Sequence, residues 1–228
     1  MNTAIIVAAG IGQRFAGSQP KQFIELLGRP LITHTLEKFE SCPSVDEIIL
    51  VLSQEGRERS EISNFRSQIK KLKQVITGGK TRAESVKNGL DAIANATSYD
   101  IVAVHDGARP LVSVDEITRT IEKASETGAA CLVADVTDTI KQVENKHISG
   151  TVDRSTLRRA LTPQAFHYDI LRKAFEGADL SGSITDECYL VERLGVNISV
   201  IPGSARNIKI TRAEDLILAE AYLSREQE

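Results

Sequence analysis

Three short runs, Ile48-Ile49-Leu50-Val51-Leu52, Ile101-Val102-Ala103-Val104 and Ala129-Ala130-Cys131-Leu132-Val133-Ala134, do most to restrict how this chain can fold. Each is apolar at every position and bounded within a few residues, the pattern of a strand covered on both faces. Ala4-Ile5-Ile6-Val7 and Gln74-Val75-Ile76-Thr77 read as two further strands. Amphipathic segments separate them. Leu31, Ile32, Leu36 and Phe39 share one face of a helix beginning at Pro30, and Val86, Leu90 and Ile93 face inward from a second. A third helix is expected from about Val114 to Glu126, others near Tyr168 and Asp186, and a closing helix from Thr211 with Thr211 as its N-cap. A strand is expected at Asn197–Ile201. Strands alternating with helices imply an α/β fold of three layers, a mostly parallel twisted sheet covered on both sides.

That rhythm breaks between Asp138 and Arg154. Two segments that alternate polar and apolar residues, Thr139 to Glu144 and His147 to Val152, flank Asn145-Lys146. This is a hairpin signature, and its sides are too polar for the central sheet. An isolated hairpin is marginal, so an arm of this kind is expected to pack on something, often a second subunit. The reading is one domain over residues 1–228 with an arm at about 138–154.

The first strand runs into Ala8-Ala9-Gly10-Ile11-Gly12-Gln13-Arg14, and the loop continues through Pro20-Lys21-Gln22. A glycine-rich loop leaving a strand can turn its backbone N–H groups inward as an anion nest. Arg14 and Lys21 add fixed positive charge, the combination that phosphate chemistry needs. A dinucleotide fingerprint fails because Phe15 stands where a third small residue belongs. A Walker A loop fails because its first glycine would fall on Gln74.

Ligands of open parallel sheets bind past the carboxyl ends of the strands. Asp106 and Arg109 of His105-Asp106-Gly107-Ala108-Arg109-Pro110 are therefore expected in the same crevice as the first loop. Arg154 follows the hairpin, and Lys209 precedes the last helix in Asn207-Ile208-Lys209. On residue type alone, an Asp–Arg turn pair, a solvated arginine and a surface lysine account for these as well. Thr162-Pro163-Gln164 and Thr185-Asp186-Glu187 read as turn or helix-start signals.

Composition removes several classes. A net charge of −3 in 228 residues argues against nucleic-acid binding. Cys42, Cys131 and Cys188 have no C-x-x-C spacing, so neither a disulfide framework nor a zinc site is expected. None of the four histidines is spaced as a metal pair, and no Ser/His/Asp or Cys/His nucleophile can be assembled. The absence of a leader-like or bilayer-length apolar segment makes a cytoplasmic protein with no membrane partner the expectation.

Taken together the motifs resemble those of the 2-C-methyl-D-erythritol 4-phosphate cytidylyltransferases, in the family's order, from about residue 3 to about residue 223. They are Ala8-Ala9-Gly10…Arg14, Pro20-Lys21-Gln22, Gly78-Gly79…Thr81-Arg82…Ser85-Val86, His105-Asp106…Ala108-Arg109-Pro110, Asp138-Thr139, Thr151-Val152-Asp153-Arg154, Leu161-Thr162-Pro163-Gln164, Ile184-Thr185-Asp186-Glu187 and Asn207-Ile208-Lys209. The resemblance implies a Rossmann-like fold and transfer of a cytidylyl group from CTP to a sugar-alcohol phosphate, with Mg²⁺. It assigns charge stabilisation at the α-phosphate to Arg14 and Lys21, and positioning of the attacking phosphate to Arg154 and Lys209. Asp106, Arg109, Thr139 and Thr162 fall at sugar-contact positions, and Ala8, Ala9, Gly10, Gly12, Gly79 and Ser85 at the nucleotide. It also implies a homodimer whose arm carries Thr139 and Arg154 to the neighbour's site. No protein ligand to the metal follows, Asp106 being the first candidate. Lys80 stands where the family often has an acidic residue, and Gly107, in place of the usual alanine, is expected only to loosen its loop. A ribitol-5-phosphate cytidylyltransferase and a catalytically silent nucleotide-binding module are the alternative readings.

Overall fold

Strands that are apolar on both faces need helices on both sides, and the computed structural model of the chain has them. It describes residues 1–10, 20–59, 61–180 and 184–226. In chain order the elements are β1 (Asn2–Ala8), β2 (Glu25–Leu26), β3 (Arg29–Pro30), α1 (Leu31–Glu40), β4 (Glu47–Leu52), α2 (Gln54–Arg57), α3 (Glu61–Gln68), β5 (Leu72–Thr77), α4 (Arg82–Asp91) and β6 (Ile101–Asp106). Then come α5 (Val114–Thr127), β7 (Ala129–Asp135), β8 (Ile140–Glu144), β9 (His147–Val152), β10 (Arg158–His167), α6 (Tyr168–Phe175), α7 (Glu187–Glu192), β11 (Ser199–Pro202) and α8 (Ala213–Glu226).

One seven-stranded sheet has the order β11-β7-β10-β6-β1-β4-β5. β1 pairs in parallel with β4 and β6, β4 with β5, and β7 with β11, whereas β10 runs antiparallel to both β6 and β7. Alternation along each strand sorts the core. Ala4, Ile6, Ile48, Leu50 and Leu132 join one apolar layer with Leu36 and Phe39 of α1 and Ile117 of α5. Ile5, Ile49, Val51, Val104 and Cys131 join the other with Val86 and Leu90 of α4 and Leu171 of α6. A smaller cluster seats Ala219 and Leu223 of α8 on Leu26 and Leu31. From β1 the chain steps one way through β4 to β5, then crosses back to β6 on the other side of β1. This makes the carboxyl ends of β1 and β6 the switch point of the sheet, where Val7 pairs with Asp106.

Local chemistry sets the helix ends. Ser113 and Glu116 form a capping box at the start of α5, and Gly128, at φ 86°, ends it in the left-handed conformation. Thr81 and Glu84 form a second box at α4. Among the described residues no helix is long and apolar enough to cross a membrane.

Four expectations need correction. Thr162-Pro163-Gln164 is neither turn nor helix start: it lies within β10, at a register shift between Ala160 and Gln164. Asp186, by contrast, does cap α7, accepting from the Tyr189 N–H. Thr211 does not cap α8; its N–H and hydroxyl both donate to Asp215 Oδ2, which also accepts from the Arg212 N–H. The strand expected at Asn197–Ile201 begins two residues later, as β11. Gly107 is tightly packed and leaves no slack in its loop: a Cβ there would lie 2.7 Å from Ile32 Cδ1 and 2.8 Å from Ala8 Cβ.

The arm forms where alternation places it. β8 and β9 pair only with each other, as a separate two-stranded sheet turned by Asn145 and Lys146 at φ 48° and 67°. Val143 and Ile148 on it are 60% and 67% exposed, so this chain alone does not cover its apolar side.

Candidate active site

A cleft of about 180 Å³ opens at the switch point, lined by Ala8, Ala9 and Gly10 at the end of β1, by Lys21 and Gln22, by residues 79–82 and Ser85, and by Asp106, Ala108 and Lys209. Among the described residues Lys21, Lys80, Arg82 and Lys209 line it against the single carboxylate of Asp106, in a chain whose net charge is −3. The cleft is therefore locally cationic within a chain of negative net charge.

Close packing shapes the nucleotide side of the cleft. A Cβ on Gly79 would lie 2.3 Å from Glu84 Cβ, and one on Gly78 2.5 Å from Ala9 Cβ. Only glycines let this loop pass so close to both the α4 N-terminus and β1. The Gly79 N–H donates to Ser85 Oγ at 3.1 Å, and that hydroxyl donates to the Thr81 carbonyl at 2.9 Å. Ser85, buried, thus holds the loop's shape. Lys80 is exposed at the mouth, its N–H donating to Glu84 Oε2 at 2.5 Å.

Asp106 is the electrostatic centre. Its Oδ1 accepts from Arg82 Nε at 2.9 Å, and its Oδ2 meets Lys209 Nζ at 3.0 Å and Arg109 Nε at 3.3 Å. Burial alone would raise this carboxyl, but Arg82, Lys209 and Arg109 hold it well below the usual carboxylate range. Arg109 also donates to the Asn207 carbonyl at 2.8 Å, so it ties the end of β6 to the Lys209 segment from outside the cleft lining. Lys21 Nζ reaches the Ile210 carbonyl at 3.3 Å, bringing a second lysine of the cleft beside the same segment.

Behind Asp106 lies a buried polar chain. His105 Nε2 faces the Arg109 carbonyl at 3.2 Å and must donate to it, which leaves Nδ1 to accept from Thr162 Oγ1 at 3.0 Å. The Thr162 oxygen in turn accepts from the Asp106 N–H at 3.1 Å. Thr162, 3% exposed, therefore reaches the site through Asp106 and not at the cleft surface. Burial lowers the His105 pKa from 6.5 to about 3, the Asp106 charge and the Arg109 carbonyl pulling the other way. The unfolded chain takes up this proton near pH 6.5 and the folded one only near pH 3, so His105 costs stability progressively as pH falls through that window. Asp106, held low, adds a contribution present above the ordinary carboxylate pKa and lost below it. His34, lowered by burial, and Glu187, raised by burial, also contribute to the stability profile read by urea unfolding. Within that profile His105 should account for a fall of up to about 1.4 kcal/mol per pH unit between pH 6 and 4.5. His105→Gln should flatten that slope; parallel slopes in the two proteins would refute the assignment.

The remaining expected residues are elsewhere or outside view. Arg14 and Gly12 lie outside the described residues. Thr139 and Arg154 are exposed at the arm and do not line the cleft; Arg154 donates to the Thr137 carbonyl in a separate surface hollow with Asp135, Asp153 and Arg158. Two residues of the site carry no role on sequence grounds: Arg82, in the lining, and Glu187, buried behind it and bonded to both ends of its guanidinium. Their spacing of 105 residues leaves no local signal beyond their places in the family's motifs.

A resident metal does not fit these donors. No three His, Cys, Asp or Glu side chains gather as metal ligands among the described residues. Both oxygens of Asp106 are already engaged by cationic side chains.

Comparison with known proteins places this geometry. The family model described as 2-C-methyl-D-erythritol 4-phosphate cytidylyltransferase matches residues 2–225. The enzyme of that name from Syntrophus aciditrophicus is 41% identical over 230 residues, covering 98% of this chain and 96% of its own length. The one from Geobacillus kaustophilus is 42% identical over 222 residues, covering 97% and 96%. The crystal structure of 4-diphosphocytidyl-2C-methyl-D-erythritol synthase from Anaerococcus prevotii superposes with a TM-score of 0.84 at 30% identity, over 98% of this chain and 96% of that one. With its Rossmann-like sheet and its cationic cleft at the switch point, the chain belongs to the 2-C-methyl-D-erythritol 4-phosphate cytidylyltransferase family.

Proposed function

We propose that this protein transfers the cytidylyl group of CTP, presented with Mg²⁺ as part of the substrate, to 2-C-methyl-D-erythritol 4-phosphate. The products are 4-diphosphocytidyl-2-C-methyl-D-erythritol and pyrophosphate. Family membership supports the reaction, and the observation that carries the mechanism is the convergence of Lys21, Arg82 and Lys209 on a cleft bounded by glycine-rich backbone.

A phosphate monoester loses its second proton near pH 6, so the acceptor arrives mostly as a dianion and needs no general base. That agrees with a cleft in which the buried His105 is neutral and turned away from the lining. A non-bridging oxygen of the acceptor phosphate attacks the α-phosphorus of CTP; the bond from that phosphorus to the bridging oxygen breaks, and pyrophosphate leaves with the electron pair. The obstacle is bringing two anions together, which fixed cations and backbone N–H groups relieve. Lys21 serves the α-phosphate with Arg14, while Lys209 holds the acceptor phosphate. Cytosine and ribose lie along Ala8, Ala9, Gly10 and Gly79. Asp106 and Arg109 order the acceptor side, with Thr162 supporting Asp106 from behind.

Arg154 and Thr139 have no place in the cleft of their own chain, and the arm's apolar side is uncovered; both features support a homodimer in which the arm completes the partner's site. The test is pyrophosphate release from CTP and Mg²⁺, with methylerythritol 4-phosphate and ribitol 5-phosphate run in parallel. Release dependent on the erythritol substrate is expected. Preference for ribitol phosphate would change the acceptor and keep the chemistry, and silence with both would sink the proposal.

A further inference from the structure

Glu187 has no exposed surface, and its only charged partner among the described residues is Arg82: Oε1 accepts from Nη1 at 2.6 Å and Oε2 from Nη2 at 3.1 Å. Its backbone is anchored where it opens α7, its own N–H donating to Gln164 Oε1 at 3.1 Å, and full burial leaves the side chain no solvent to turn toward. The remaining edge of the guanidinium, Nε, donates to Asp106 Oδ1 at 2.9 Å. That leaves Asp106 Oδ2 for Lys209, at 3.0 Å, and for Arg109. Charged groups thus stand in series from the start of α7, through the start of α4 and the end of β6, to the lysine in the cleft.

Stability alone gives no reason for this arrangement. Burying a carboxylate completely costs several kcal/mol, and one ion pair roughly offsets that, so an apolar pair would join α4 to α7 as well. What an apolar pair could not do is occupy the charge of Arg82. Its side chain is 21% exposed at the cleft lining, so without Glu187 it would be free to turn toward an incoming phosphate and let go of Oδ1. With Oδ1 pinned, Asp106 cannot rotate, and Oδ2 keeps Lys209 at one place in the cleft.

We propose that Arg82, locked by Glu187, is a positioning residue that fixes Asp106 and, through it, Lys209 as a phosphate-binding cation. The inference rests on the reading of Lys209 as the holder of the acceptor phosphate. Two conservative variants isolate geometry from charge. Arg82→Lys keeps the charge, but one ammonium cannot bridge two carboxylates as a planar fork does. Glu187→Asp keeps its charge and draws the carboxylate back by one methylene. Each should raise the KM for methylerythritol 4-phosphate about ten-fold and leave the KM for CTP within about two-fold.

Binding of inorganic phosphate, read by calorimetry on the folded full-length variants, should weaken by a similar factor. That measurement needs no turnover, so it separates the two proposals. A wild-type protein that releases no pyrophosphate, yet loses phosphate affinity in both variants, would sink the proposed reaction and keep the positioning role. Unchanged phosphate affinity with only a lower melting temperature, a rise in the KM for CTP alone, or no phosphate binding by the wild type would each overturn it.

Discussion

Asp106→Ala is expected to abolish turnover and to destabilise the fold by about 3–5 kcal/mol, the cost of removing one partner from a buried charge cluster. The carboxylate is 8% exposed and touches three cations. Their fates after its loss differ with their surroundings. Lys209, 36% exposed, can turn to water, and Arg82 keeps Glu187. Arg109, only 12% exposed, keeps the Asn207 carbonyl and loses its one carboxylate among the described residues, so most of the uncompensated charge falls there. The backbone N–H of Asp106 remains bonded to Thr162, so the strand end should hold its path. Asp106→Asn, which keeps the shape and removes the charge, should lose nearly as much stability as the alanine variant. Urea unfolding and pyrophosphate release on both variants test this. A stability within about 0.5 kcal/mol of wild type, the range of ordinary surface substitutions, would show that the three cations do not depend on this carboxylate.

What the sequence reveals of this protein follows from how far apart its interacting residues lie. β4, β6 and β7 are legible because their centres are apolar at every position, which suits a strand covered on both faces and little else of that length. The arm is legible because its mixed polar and apolar pattern and its two turn residues are local signals. β10 is not: Arg158 to Ala160 are exposed, Pro163 stands in its middle, and its pairing with β6 and β7 is entirely non-local. Its antiparallel course therefore comes from the fold, not from the run of residues. The site divides in the same way. The glycines, Lys21, Asp106 and Lys209 sit at strand ends or beside a glycine-rich loop, where a ligand crevice is expected, and all of the described ones border or enclose the cleft. Thr162 illustrates the limit, since residue type cannot tell a hydroxyl offered to a ligand from one spent on the Asp106 N–H. Arg82 and Glu187 show the same limit over distance: an arginine in a helix-start motif looks solvated until the fold brings a buried carboxylate to it.

Lys21→Ala should lower kcat about 10²–10³-fold, equivalent to about 3–4 kcal/mol of transition-state stabilisation, and leave the fold intact. Lys21 opens a short 3-10 turn, Lys21–Phe23, set by Pro20 at φ −57°, and its amine reaches the Ile210 carbonyl at 3.3 Å. The turn is anchored by Phe23, 2% exposed and stacked on Phe65, which an alanine at 21 does not disturb. The ammonium is thus carried into the cleft on a rigid support, beside the segment that bears Lys209. Charge at the α-phosphate increases as the acceptor oxygen approaches and pyrophosphate departs, so an ammonium fixed there gains more interaction in the transition state than in the bound substrates. The loss should therefore appear in kcat, with the KM for CTP changed by no more than a few-fold. Lys21→Arg, which keeps the charge but spreads it over a planar fork, should recover only part of the rate. Steady-state kinetics beside a thermal melt decide it. A folded Lys21→Ala protein with near-normal kcat would remove Lys21 from the chemistry and leave the developing charge to the other cations and backbone N–H groups of the cleft.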